Sequence, residues 1–145
     1  MQVHQILRSK DAATVHTVPS SMTVSDAVRM LSEKRIGALI VSDDDGRTPA
    51  GIISERDIVR EIGRRGPACL DDRVADMMTA KVITASPSDP ADQVLAEMTD
   101  GRFRHMPVME NGALAGVISI GDVVKARLSE LAMENEALEG MIKGY

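Results

Sequence analysis

Aromatic residues are nearly missing from this chain of 145 residues, in which Phe103 and Tyr145 stand alone and tryptophan is absent. The core must therefore come from Val, Ile, Leu, Ala and ten Met, and there is no aromatic platform for stacking unpaired bases. Cysteine is reduced to Cys69, which excludes an internal disulfide and any paired-cysteine metal site. His4, His16 and His105 are scattered, and neither a His-Glu-x-x-His motif nor a Ser-His-Asp or Cys-His set at local spacing is present. The expectation is a protein that is not an enzyme and uses neither a catalytic cofactor nor a metal. The Gly-x-Gly-x-x-Gly fingerprint is also missing, so a dinucleotide would bind without a Rossmann fold. Positive charge is the minority: the net formal charge is −5, and the one basic cluster, Arg60 to Arg65, is short. Such a balance argues against nucleic acid as a partner. No run approaches the length of a membrane span and no apolar leader opens the chain, which points to a soluble, cytoplasmic protein.

What the chain does have is a repeat. The stretch GIISERDIV (51–59) returns as GVISIGDVV (116–124). Displaced by 67 positions, Thr17 falls on Thr84, Ser21 on Ser88, Arg35 on Arg102 and Val41 on Val108. The offset then drops to 65, because SDDDGRTPAG (42–51) is two residues longer than MENGALAG (109–116), a difference a turn can absorb. Each copy opens with an extended lead-in, VHTV (15–18) or VITA (82–85), followed by an amphipathic helix. Val24, Ala27, Val28 and Leu31 share one face of the first helix, and Ala91, Val94, Leu95 and Met98 one face of the second. An apolar strand follows (38–41; 106–108), then Asp45-Gly46 or Asn111-Gly112, the strongest local hairpin signal, then a second strand and a helix beginning at Ser54 or Ser119. The order β-α-β-β-α, written twice, predicts an α+β fold. The expected divisions are a first unit at 1–62, a Gly/Pro-bearing linker at 63–73, a second unit at 74–127 and a helical tail at 128–145.

The repeated Ser-x-x-Asp carries two readings. Ser with an acidic residue three positions on is a capping box that satisfies free amides of a helix's first turn. The same strand-to-helix junction presents free N–H groups and a partial positive charge, suited to a phosphate, and an ionised Asp accepts the two hydroxyl donors of a ribose. The stretches RIGALIVSDDDG, GIISERDIV, RHMPVMENG and GVISIGDVV, in corresponding places of both copies, resemble tandem cystathionine β-synthase (CBS) domains over residues 1–127. The resemblance implies two units packed through their sheets about a pseudo-twofold axis, leaving two clefts for adenosine-containing ligands such as AMP, ATP, NAD(H) or S-adenosylmethionine. It further implies ribose contact by Asp57 and Asp122 beside Ser54 and Ser119, hydroxyl contact by Thr17 and Thr84, and reading of the adenine edge by backbone at Val82 and Ile83 or Val15 and His16.

The copies differ most before the central strand, where Gly37-Ala38 stands in the first and Arg104-His105, followed by Met106-Pro107, in the second. The guanidinium fork of Arg104 matches a phosphate, so the second copy is expected to hold one better, and Arg56 is within range of either cleft. The module reads as a regulatory, signalling unit: a homodimer that passes a ligand-driven change to an unidentified protein target. The alternative is a ligand-free structural or interaction module whose Ser-x-x-Asp pairs only cap helices. In the tail, Val124, Leu128, Leu131, Asn135, Leu138 and Ile142 recur at alternating spacings of four and three, a heptad seam with Asn135 at an a position, which either packs on its own module or pairs with a second helix in an orientation the sequence leaves open.

Overall fold

A computed structural model of the chain describes residues 1–9 and 15–142. Helix α1 spans Val3–Ser9, strand β1 Thr17–Val18 and helix α2 Val24–Lys34. The Thr23 side chain caps α2 by accepting from the Asp26 N–H at 3.2 Å, and Val24, Ala27 and Leu31 turn into the core. Strands β2 (Ala38–Val41) and β3 (Gly51–Ser54) form an antiparallel pair, β1 joins β2 in parallel, and helix α3 (Glu55–Arg65) follows directly. The sequence expected a linker from residue 63; α3 instead runs on to Arg65, and a 3₁₀ turn at Pro67–Asp71 buries Cys69.

After the short helix α4 (Val74–Met77), the second half gives α5 (Ala91–Gly101), β4 (His105–Glu110), β5 (Ala113–Ser119) and α6 (Ile120–Ile142). α2 and α5 end alike: Arg35 (φ 53°) and Arg102 (φ 57°), one repeat apart, both take the left-handed conformation. Asn111-Gly112 is a two-residue hairpin turn with positive φ at both positions, as a turn matched to strand twist requires, whereas Asp45-Gly46, also positive in φ, lies inside a longer connection that spans 42–50.

The lead-in expected as a strand at 82–85 is not one. Only Ala85 pairs, through a parallel bridge in which it donates to the Pro107 carbonyl and accepts from the Met109 N–H, both at 2.9 Å. The physical reason lies upstream, where Thr79 exchanges backbone hydrogen bonds with Ile52 (2.9 and 3.0 Å) at the edge of the first sheet. The chain must then cross to the second sheet within a few residues, and 82–84 are spent on the crossing.

Two hydrophobic cores result, and each contains a helix from the other half. Val3 and Ile6 of α1 are buried with Ala91, Val94, Met98, Met106, Val108, Ile118 and Val123. Val74 of α4 is buried with Val24, Leu31, Leu39, Val41, Ile53 and Ile58. The exchange is matched bond for bond. Val24 donates to the Asp72 carbonyl and Val74 to that of Met22 (2.9 and 2.8 Å), while Ala91 donates to the Met1 carbonyl and Val3 to that of Asp89 (both 2.9 Å). Among the described residues, no helix is long and apolar enough to cross a membrane.

Candidate functional site

Both Ser-x-x-Asp motifs sit where a strand ends and a helix begins. Ser54 Oγ accepts from the Asp57 N–H at 3.2 Å, while Asp57 Oδ2 accepts from the Ser54 N–H at 3.1 Å and from its hydroxyl at 2.9 Å. In the second copy Ser119 Oγ accepts from the Asp122 N–H at 3.1 Å, and Asp122 Oδ2 from the Ser119 N–H at 2.8 Å. The capping box is therefore formed twice. Each junction is also tied to the start of the neighbouring strand: the Glu55 N–H donates to the Gly37 carbonyl (2.9 Å) and the Ile120 N–H to the Arg104 carbonyl (2.8 Å).

Two clefts flank these junctions, of about 710 and 480 Å³, within the range of small-molecule sites. The larger is built across both halves. Ser54, Arg56, Asp57 and Gly37 come from the first, and Val82, Ile83, Arg104, His105 and Ser119 from the second. Its rim is cationic, with Arg56, Arg60, Lys81, Arg102 and Arg104 against Glu55 and Asp57. Arg60 meets Asp57 Oδ1 at 2.5 Å, so both oxygens of that carboxylate are engaged. The smaller cleft crosses the halves the other way, combining Asp122 and Ser119 with Val15, His16, Gly37 and Ala38. No Lys or Arg is among the described residues lining it, and its remaining walls are mainly apolar, from Leu7, Ile36, Ile40, Ala115 and Val117.

The pairing of motifs was not legible in the sequence. Arg104 shares a cleft with Asp57, not with the Asp122 of its own repeat, and Arg56 joins it there. Lys81, Arg60 and Arg102 were missed. Arg102 carried a signal, its alignment with Arg35, and Arg60 another, its spacing of three from Asp57 on one helix face, whereas Lys81 reaches the rim only through folding. Neither cleft is lined by Thr17, Thr84 or Pro107. Thr17 lies in β1 against Ile40, Thr84 is exposed, and Pro107 is buried in β4. A common wall separates the clefts, since Gly37, His105 and Ser119 line both and a Cβ on Gly37 would lie 3.4 Å from the His105 ring. Among the described residues no group of His, Cys, Asp and Glu is placed to hold a metal ion.

Comparison with known proteins places this arrangement. The family profile of the CBS domain matches residues 7–64 and 74–129. A mitochondrial CBS domain-containing protein of Arabidopsis thaliana is 38% identical over 125 residues; the match covers 84% of this chain but 61% of that protein. The crystal structure of a CBS-domain protein from Agrobacterium tumefaciens superposes with a TM-score of 0.82 at 42% identity, covering 88% of this chain and 99% of that one. At 23% identity, with a TM-score of 0.76 and coverage of 90% and 98%, the CBS domain pair of protein MJ0100 shares the fold; it was solved in complex with 5'-methylthioadenosine and S-adenosylmethionine.

Proposed function

We propose, from the premise that this chain belongs to the CBS-domain family and is a CBS-pair regulatory module, that its clefts bind adenosine-containing ligands, the larger taking a phosphorylated one such as AMP, ATP or NAD(H). The observation that carries the reading is the lining of the larger cleft, where five cations, Arg56, Arg60, Lys81, Arg102 and Arg104, share the cleft with Asp57 at a helix start. A ribose needs an acceptor for two hydroxyls and a phosphate needs donors, and this cleft offers both. Asp57 Oδ2 is held by the cap and Oδ1 by Arg60. Binding therefore exchanges the Arg60 contact for ribose hydroxyls and frees that guanidinium, 68% exposed, to turn toward phosphate. The smaller cleft, apolar and without Lys or Arg among its described lining, suits an adenosine compound that lacks phosphate. That MJ0100's pair holds two such compounds supports adenosine recognition by the fold. The bound state is passed to a protein target.

Calorimetric titration with AMP, ATP, NAD, NADH, S-adenosylmethionine and adenosine is the test. Binding of AMP by wild type, with Arg104→Ala weakening AMP by about 1–3 kcal/mol and leaving adenosine unchanged, is the expected result. Equal losses for both ligands would show that Arg104 shapes the cleft without meeting phosphate. No heat from any of them at millimolar concentration would leave a structural module whose Ser-Asp pairs are caps alone.

A further inference from the structure

Helix α6 outlasts the body it is packed on. Val123 and Ala126 are buried, and Arg127 and Glu130 half-buried, so the body-facing stripe ends at Glu130. From Leu131 to Glu139 every residue is exposed. A projecting helix of that length is marginal in water by itself, and here it displays Leu131, Met133, Leu138, Met141 and Ile142 at 45 to 85% exposure. Such a stretch requires a cover. The seam residues Val124, Leu128, Leu131, Asn135, Leu138 and Ile142 lie about 110° round the helix from the buried stripe, so the module's own body does not supply it.

We infer that the cover is a second copy of this chain, its α6 lying antiparallel along this one. In that register the seam closes on itself without remainder: Val124 meets Ile142 of the second copy, Leu128 meets its Leu138, and Leu131 meets its Asn135. The projecting part of each helix thus covers the body-flanking part of the other, an interface with twofold symmetry. Charge selects the direction. Antiparallel pairing sets Lys125 against Glu139 of the second copy, twice by symmetry, with Ala132 against Ala132 between them where the helices come closest. Only Glu134 faces its own like across the axis. A parallel pair joins Asn135 to Asn135 but sets Glu134 against Glu139 twice and has no opposite-charge pair among those positions.

The test is disulfide trapping in the full chain, with a tagged Leu131→Cys variant mixed with an untagged Asn135→Cys variant under mild oxidation. Cys69 is buried and does not compete. The expected product is the mixed dimer of intermediate mass in excess over either self-linked species. A predominance of self-linked dimers, or no linked species at all, overturns the inference. In sedimentation, Lys125→Glu should raise the dimer dissociation constant roughly tenfold, and adding Glu139→Lys should restore it. A charge-swapped double variant no tighter than the single one would also refute it.

Discussion

At the scale of the residue, Asp57 performs a structural task that is visible and is proposed for a second one. Asp57→Asn retains an oxygen for the Ser54 N–H but lacks the charge that holds ribose hydroxyls, and charge-assisted hydrogen bonds contribute roughly 1.5–3 kcal/mol. AMP affinity should therefore fall about tenfold to a hundredfold while the melting temperature moves little; unchanged affinity with a lower melting temperature would make Asp57 a cap only. Asp44 shows what an aspartate does when structure is its whole task. Its carboxylate accepts from the hydroxyls of Ser42 and Thr48 and the N–H groups of Arg47 and Thr48, and the Thr48 contacts foremost hold it far below the ordinary value of 3.8. Because the folded group titrates below the free one, its contribution is complete above that value and is lost as the pH falls through and below it. Asp44→Ala should accordingly lower the melting temperature by the same margin from pH 7 to pH 5, with the gap closing below about pH 3.8. A margin independent of pH would refute the assignment.

At the scale of the element, the glycines that open GIIS and GVIS have a cause that neither strand reveals alone. A Cβ on Gly51 would stand 2.5 Å from Met78 Sδ and 2.9 Å from the Thr79 carbonyl, and one on Gly116 would stand 2.8 Å from Leu7 Cδ2. Each glycine lies under the segment its half receives from the other. Since Gly51 meets backbone and Gly116 only the end of a side chain, Gly51→Ala should cost about 1–3 kcal/mol and Gly116→Ala distinctly less, read as denaturant midpoints. Equal costs would mean that the Thr79 backbone yields freely. What was legible in the sequence follows the same division between local and distant causes. The helix faces, both positive-φ turns and both Ser-Asp caps depend on residues within a few positions of one another, so period and turn chemistry found them. The missing strand at 82–84 and the gathering of Arg56, Lys81 and Arg104 on one rim depend on where Thr79 pairs and how the halves cross. No local pattern records either.

At the scale of the whole molecule, the two repeats are not two separable domains in their packing, because α1 completes the second core and α4 the first. Calorimetry should show one transition, with the measured enthalpy equal to the van't Hoff value; two resolved transitions would contradict the exchange. Fragments 1–66 and 67–142 should each remain unfolded alone and regain helical structure when mixed. The same exchange sets an order of events while the chain is being made. Synthesis proceeds from the N-terminal side at about 5–20 residues per second, so Val3 and Ile6 are made well before the core that buries them, whose members extend to Ala126. Until Val74 is made the first core is incomplete as well, so a nascent chain stopped within the first repeat exposes apolar surface to chaperones and proteases. Val3 and Ile6 thus wait for more than a hundred residues of chain before they are enclosed.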